Sequence, residues 1–326
     1  YNYGLQTPAV GMQRWQRALE KPVANTIVPV WNGENLKGKS LLILGEQAIG
    51  DTMMFLRLLP YLKKECKLLG LHITSRLTKL YERSFDEFEI YDDTNELSTE
   101  QLKRYDYQVP CGSIAYFRME KWLKEGWEQS KLIPDQKIQS LLRNQYKSDN
   151  FDQKLIGISW SGGGRADRIR AKSLTLDQYS EVFKSFPNAK FISLQYGNVK
   201  SAIDKWQHEG FNVFNDESIN ALEDMDKWMA QVSCCDFIVS VANTTIHGAG
   251  CLNIPTFCLQ SRNSDWRWIE KLRYSYWYES VETSFQNKDG SWDQAINEMR
   301  QWAKTIDNAP ITKSQRSKEI LKSMKF

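Results

Sequence analysis

The sequence is poor in the residues that most often build metal centres and redox pairs. It holds 3 histidines in 326 residues, and none of its 6 cysteines is spaced as CxxC. Ligand spacing therefore gives no zinc constellation. No run of about 18 apolar residues occurs, so no membrane span is expected. There is no charge excess either. The 43 Lys+Arg and 40 Asp+Glu leave a formal charge of +3, which gives no general support for nucleic-acid binding. Neither GxxxxGK[ST] nor GxGxxG is present, which disfavours a standard nucleoside triphosphatase or dehydrogenase. Short-period repeats, low-complexity runs and a signal peptide are not visible. The chain starts at Tyr1 rather than Met, which leaves targeting open. Cys234, Cys235, Cys251 and Cys258 lie in apolar stretches and read as small core residues. A reducing cytoplasm is the compartment that fits.

What is present is a globular composition, 41% hydrophobic, in a chain long enough for two domains. Aromatics are plentiful, with 12 Trp, 14 Tyr and 14 Phe. Many of the tryptophans fall in the second half, as a lined cleft or as packing.

The stretch GKSLLILGEQAIGDTMMFLRLL, Gly38 to Leu59, organises the chain. Ser40 to Leu44 reads as a central parallel strand, Gly45 to Gly50 as a tight turn, and Asp51 with Thr52 as a helix start. A carboxylate there is held by free backbone N–H groups and the helix dipole, and an N-cap alone would also explain it. Strands and helices of about ten residues then alternate, which predicts parallel βαβ units and an α/β fold. Residues 1–37 are expected to be a lead-in, with a helix over Val10–Leu19 and an extended segment. A first Rossmann-like domain is expected over 38–150, with a linker near 134–152. A second is expected over 151–326, closed by helices at Trp292–Thr305 and Ser314–Met324. Two facing domains with a cleft between them follow as an expectation.

Three further stretches can carry chemistry. Trp160-Ser161-Gly162-Gly163-Gly164 ends a strand and is followed by Arg165, Arg168, Arg170 and Lys172. Such a glycine turn lets backbone N–H groups approach an anion, and the cations suit a diphosphate; the alternative is a solvated basic loop. That loop is also the sole support for a nucleic-acid reading, and nucleic acid is not the expected partner. Asn243 or Thr244 can cap a helix whose start binds phosphate, with His247 one turn in; the alternative is capping and packing alone. Asn263-Ser264-Asp265-Trp266-Arg267-Trp268 could line a pocket or pack the domain base.

Together these stretches resemble a known pattern. GEQAIGDTMMFLRLLP is similar to the glycine-aspartate turn of glycosyltransferase-like domains that often follow tetratricopeptide repeats, and to that of the ADP-heptose heptosyltransferases. GISWSG…KSLTL…FISLQYG resembles a second run of the same domains. DFIVSVANTTIHGAGCLNIPTFCL…DWRW and Phe285-Gln286…Trp292 resemble the rest, in the same order over residues 31–300. The resemblance implies a GT-B fold of two Rossmann-like domains and metal-independent glycosyl transfer from a nucleotide-diphosphate sugar, with no cofactor. It implies Asp51 as the base that activates an acceptor hydroxyl. Trp160, Gly162, Lys172, Gln195, Asn243, Thr244, Thr245 and His247 would bind the donor, with Lys172 on the diphosphate and Gln195 on the nucleotide side. Glu46, Gln47, Arg168, Arg170, Asp265 and Trp266 are candidates to line the pocket. The acceptor would be a glycan, a lipid-linked glycan or a protein, and a repeat region would precede the chain. Three departures stand out. The pattern's aspartate is Asn243, its Arg is Lys172, and its Gly-Leu is Ala48-Ile49. Asn243 is the feature that favours the alternative, an inactive nucleotide- or sugar-binding module.

Overall fold

A computed structural model describes residues 27–46, 48–125, 132–163, 166–262, 267–269 and 272–306. The chain divides into two units, Tyr1–Ile133 and Pro134–Phe326.

In the first unit the apolar run SLLIL forms β1 (Ser40–Leu44), every residue of it buried. It pairs in parallel with β2 (Leu68–Ile73) and β4 (Tyr107–Pro110), and β2 pairs with β3 (Glu89–Asp92). The order is β3-β2-β1-β4. A strand flanked on both edges and covered on both faces needs a continuous apolar run, not an alternating one. Among the described residues, five helices accompany these strands: α1 (Ile49–Leu56), α2 (Leu59–Glu65), α3 (Ser75–Ser84), α4 (Thr99–Leu102) and α5 (Cys111–Glu125). α1 packs on α5. The end of the expected lead-in belongs to this unit. Trp31 donates its N–H to the Gln108 carbonyl and Gln108 donates to that of Pro29, both at 2.9 Å, so the backbone runs alongside β4. The Trp31 ring is buried, with the Arg118 guanidinium 4.7 Å from its centroid. The helix expected over Val10–Leu19 lies outside the described residues.

The second unit holds a six-stranded parallel sheet: β5 (Leu155–Ser159), β6 (Lys190–Ser193), β7 (Val213–Phe214), β8 (Phe237–Val241), β9 (Thr256–Gln260) and β10 (Val281–Phe285). The order is β7-β6-β5-β8-β9-β10, the 3-2-1-4-5-6 arrangement of doubly wound sheets. Its helices are α6 (Gln136–Tyr146), α7 (Ala166–Lys172), α8 (Leu176–Lys184), α9 (Lys200–His208), α10 (Met225–Ser233), α11 (Thr244–Cys251) and α12 (Asp293–Thr305). α12 packs on β9, β10 and α8. The other closing helix expected, at Ser314–Met324, lies outside the described residues.

The division after Ile133 meets the start of the linker expected near 134–152. α6, at the start of that stretch, packs with the second unit. Asp135 caps it, and Gln139 Nε2 then donates to the Ser233 carbonyl at 3.0 Å. Arg143 pairs with Asp236 at 2.7 Å, and the Tyr146 hydroxyl donates to Asp216 at 2.7 Å. A helix's pattern shows which face is buried, not which neighbour buries it. The basic stretch after the glycine turn, read as a loop, is helical as α7.

The described tryptophans of the second unit resolve to packing. Every described tryptophan of the second unit is buried. Trp206 sits at its centre, with ring centroids 4.8 Å from Trp160 and 5.0 Å from Phe183, both edge-on, and its Nε1 donates to the Leu176 carbonyl at 3.2 Å. Edge-on contact suits the opposite charge of ring face and ring rim. No helix among the described residues is long and apolar enough to cross a membrane.

Candidate functional site

In the second unit the strand order reverses between β5 and β8, and open α/β sheets bind ligands at the carboxyl ends of strands beside such a reversal. Two amides build the turn there. Gln195, two residues past β6, turns its Oε1 toward the end of β5. It accepts from Ser159 Oγ at 2.9 Å, Trp160 N at 3.2 Å and Ser161 N at 2.9 Å. Asn243, just past β8, works from the other side. Its Nδ2 donates to Ser159 Oγ at 2.6 Å and to the Ser161 carbonyl at 3.0 Å. Its Oδ1 accepts the Thr245 N–H at 2.9 Å and so caps α11. Asn243 is thus both cap and clasp.

Against this frame the glycine turn meets α7. Ser173 Oγ accepts the Gly162 N–H at 3.3 Å. A Cβ at Gly162 would lie 3.2 Å from the Lys172 Cβ and 3.9 Å from the Ala242 carbonyl, so a side chain here would press on the lysine stem. The stem of the half-buried Lys172 therefore runs along one side of Gly162, and the Ala242 carbonyl, just before α11, faces the same glycine. A cation, a glycine turn and the positive end of a helix converge, which is a diphosphate's requirement.

A cavity of about 610 Å³ opens beside Gln195, at the carboxyl ends of β6 and β7. Tyr196, Lys200, Asn215, Glu217 and Asn220 line it, and Ser193 Oγ in its wall is buried without a hydrogen-bond partner.

Other candidates fall elsewhere. The Trp160 indole is in the core. His247 is 8% exposed, and its Nδ1 lies 2.7 Å from the Tyr278 hydroxyl. Burial, with the Arg267 charge adding to it, pushes the imidazole down to about 3, so it is neutral and offers no cation to a phosphate. Its work is to seat α11 on Tyr278, where a Cβ at Gly250 would come within 2.3 Å of the ring. Thr244 is half-buried and Thr245 buried at the helix start, and Arg170 is exposed on α7. Gln47, Asp265, Trp266 and the side chain of Arg168 lie outside the described residues.

In the first unit Asp51 is not the opening residue of α1. Ala48 is the N-cap and Asp51 the third helical residue, its Oδ2 accepting the Ala48 N–H at 3.3 Å. It is 6% exposed. Glu46, two residues past β1, is buried as well; Oε1 accepts the Gly112 N–H at 2.9 Å. Desolvation first, and the Asp51 charge after it, push its carboxyl up to about 8 against the Gly112 hydrogen bond. Among the described residues, no three His, Cys, Asp or Glu side chains cluster as metal ligands. Sequence reasoning missed Ser159 and the cavity past β6 and β7. A serine closing a buried strand was the available signal for the first; loop closure gave none for the second.

The fold is of the GT-B class of glycosyltransferases, on likeness to solved structures. One is the glycosyl transferase family 9 protein from Veillonella parvula, with TM-score 0.56, 10% identity, and coverage of 89% of this chain and 97% of that one. Another is E. coli ADP-heptose lps heptosyltransferase II, with TM-score 0.55, 14% identity, and coverage of 82% and 99%. A third is E. coli heptosyltransferase WaaC with ADP-2-deoxy-2-fluoro heptose, with TM-score 0.51, 10% identity, and coverage of 83% and 100%. By sequence the chain is 26% identical over 280 residues to protein FlbA of Caulobacter vibrioides, covering 82% of this chain and 46% of that protein. The chain thus spans about half the length of that curated relative. No family model matches the sequence.

Proposed function

We propose that the chain is a glycosyltransferase that takes its sugar from a nucleoside-diphosphate donor, without a metal, and moves it to an acceptor hydroxyl. The observation that carries this reading is the convergence of Lys172, the Gly162 turn and the capped start of α11 where the strand order reverses. The diphosphate lies there, the nucleoside extends into the cavity past β6 and β7, and the cation and helix dipole stabilise the leaving group. Asp51 takes the acceptor's proton. The structural neighbours include enzymes solved with ADP and an ADP-linked heptose analogue, which supports a nucleotide-linked sugar as donor.

The test is a thermal-shift screen of ADP, GDP, UDP and their sugar conjugates, because a ligand selective for the folded state raises its melting temperature. At least one diphosphate is expected to raise it, and Lys172→Ala to weaken that binding about 10-fold by calorimetry. No shift with any of them, or equal affinity in the variant, would sink the reading. The burial of Asp51 favours a second one, a module that binds the donor without turning it over. Binding without release of diphosphate or transfer would select that.

A further inference from the structure

Glu46 is costly where it stands. Its side chain is 7% exposed, and Oε2 is buried with no hydrogen-bond partner. A leucine of similar volume would carry no such penalty. What the residue does provide is a three-way tie. Oε1 holds the Gly112 N–H in the first turn of α5, and its main-chain carbonyl accepts the Thr52 hydroxyl of α1 at 2.9 Å. The end of β1, the start of α5 and the helix carrying Asp51 are therefore fixed by one residue.

We propose that Glu46 is a positioning residue acting through Asp51: it clamps the shared turn to α5 and sets the charge that surrounds the base. This rests on the reading of Asp51 as the base. The groups that face Glu46 are Asp51 from α1 and, from α5, the Gly112 amide and the Cys111 thiol. Burial holds that thiol well above its ordinary value, so it stays neutral. Below about pH 8 Glu46 is a neutral acid. Above that a second negative charge stands beside Asp51, raises its hold on a proton and strengthens it as a base. Nothing in the step is consumed: the acceptor's proton goes to Asp51, and Glu46 alters only how tightly it is held.

Two measurements test this. The first is a 13C NMR titration of the Glu46 carboxyl in the full chain and in Asp51→Asn. Its midpoint, near pH 8, is expected to fall when the neighbouring charge is removed. The second is the pH profile of kcat/KM for diphosphate release from a panel of ADP-, GDP- and UDP-linked sugars, with water as acceptor. The native profile is expected to inflect near pH 8. Glu46→Gln is expected to lose that inflection, with kcat about 10-fold lower at pH 9 and KM unchanged. An unmoved midpoint, or the same inflection in both proteins, overturns the inference while leaving the transferase reading intact. A moved midpoint with no probe turned over removes Asp51 as a base, and the role of Glu46 with it.

Discussion

Asp51→Asn lowers glycosyl transfer by about 100-fold or more and leaves nucleoside-diphosphate affinity unchanged. The two halves of that result come from different units. The diphosphate groups, Lys172, Gly162 and α11, belong to the second, whereas Asp51 is on α1 in the first. Asparagine is nearly the same shape and keeps an oxygen for the Ala48 N–H, so the turn holds. It loses the charge that the first turn of a helix stabilises, which costs about 0.3–1 kcal/mol of stability. What it cannot do is accept the acceptor's proton. Steady-state transfer with saturating donor, set beside calorimetry of the diphosphate, separates the terms. A matching fall in affinity would move Asp51 to donor binding. An unchanged rate would take it out of the mechanism.

The parallel cores were legible because they are written as apolar runs. SLLIL became β1 with its predicted bounds, and the helix start expected at Asn243 or Thr244 became that of α11. α7 was not legible, since three glycines and a row of arginines look like a loop, while Ala166–Lys172 is a helix of only seven residues. β10, VETSF, was missed because Glu282 and the hydroxyl residues break an apolar run at an edge position. The site was legible as fragments. Gln195 and Asn243 could each be picked out, but not that both would be spent on the end of β5. Pairing across 34 and 82 residues is set by the sheet, not by local pattern. Glu46 was legible only in part, for a related reason. It could be named as a pocket-lining candidate, but its burial arises only once α5 closes over it.

Asn243→Asp weakens nucleoside-diphosphate binding by about 100-fold, equivalent to about 2.8 kcal/mol. The pattern that this chain resembles has aspartate here, which would make the substitution a restoration; the local geometry says otherwise. Nδ2 donates to the Ser161 carbonyl at 3.0 Å and to Ser159 Oγ at 2.6 Å. A carboxylate would set an oxygen against that carbonyl and push apart the turn that Gly162 continues. It would also place a negative charge at the start of α11, where a phosphate must come, and unit charges about 4 Å apart near a protein surface repel by about 4 kcal/mol. Asn243→Ser separates the two effects. Serine caps a helix about as well as asparagine, adds no charge, and removes only the clasp. It should lose about 10-fold. The aspartate variant carries a further signature. As the pH falls, its carboxyl gains a proton, becomes a donor to the Ser161 carbonyl and sheds its charge. Affinity relative to the parent chain should therefore recover below about pH 5, through the ordinary carboxylate range raised by the carbonyl beside it. Calorimetry of the three proteins from pH 4.5 to 8 with one diphosphate reads all of this. If the aspartate variant binds as tightly as the parent at neutral pH, Asn243 is no part of an anion site, and the diphosphate lies somewhere else on the second unit.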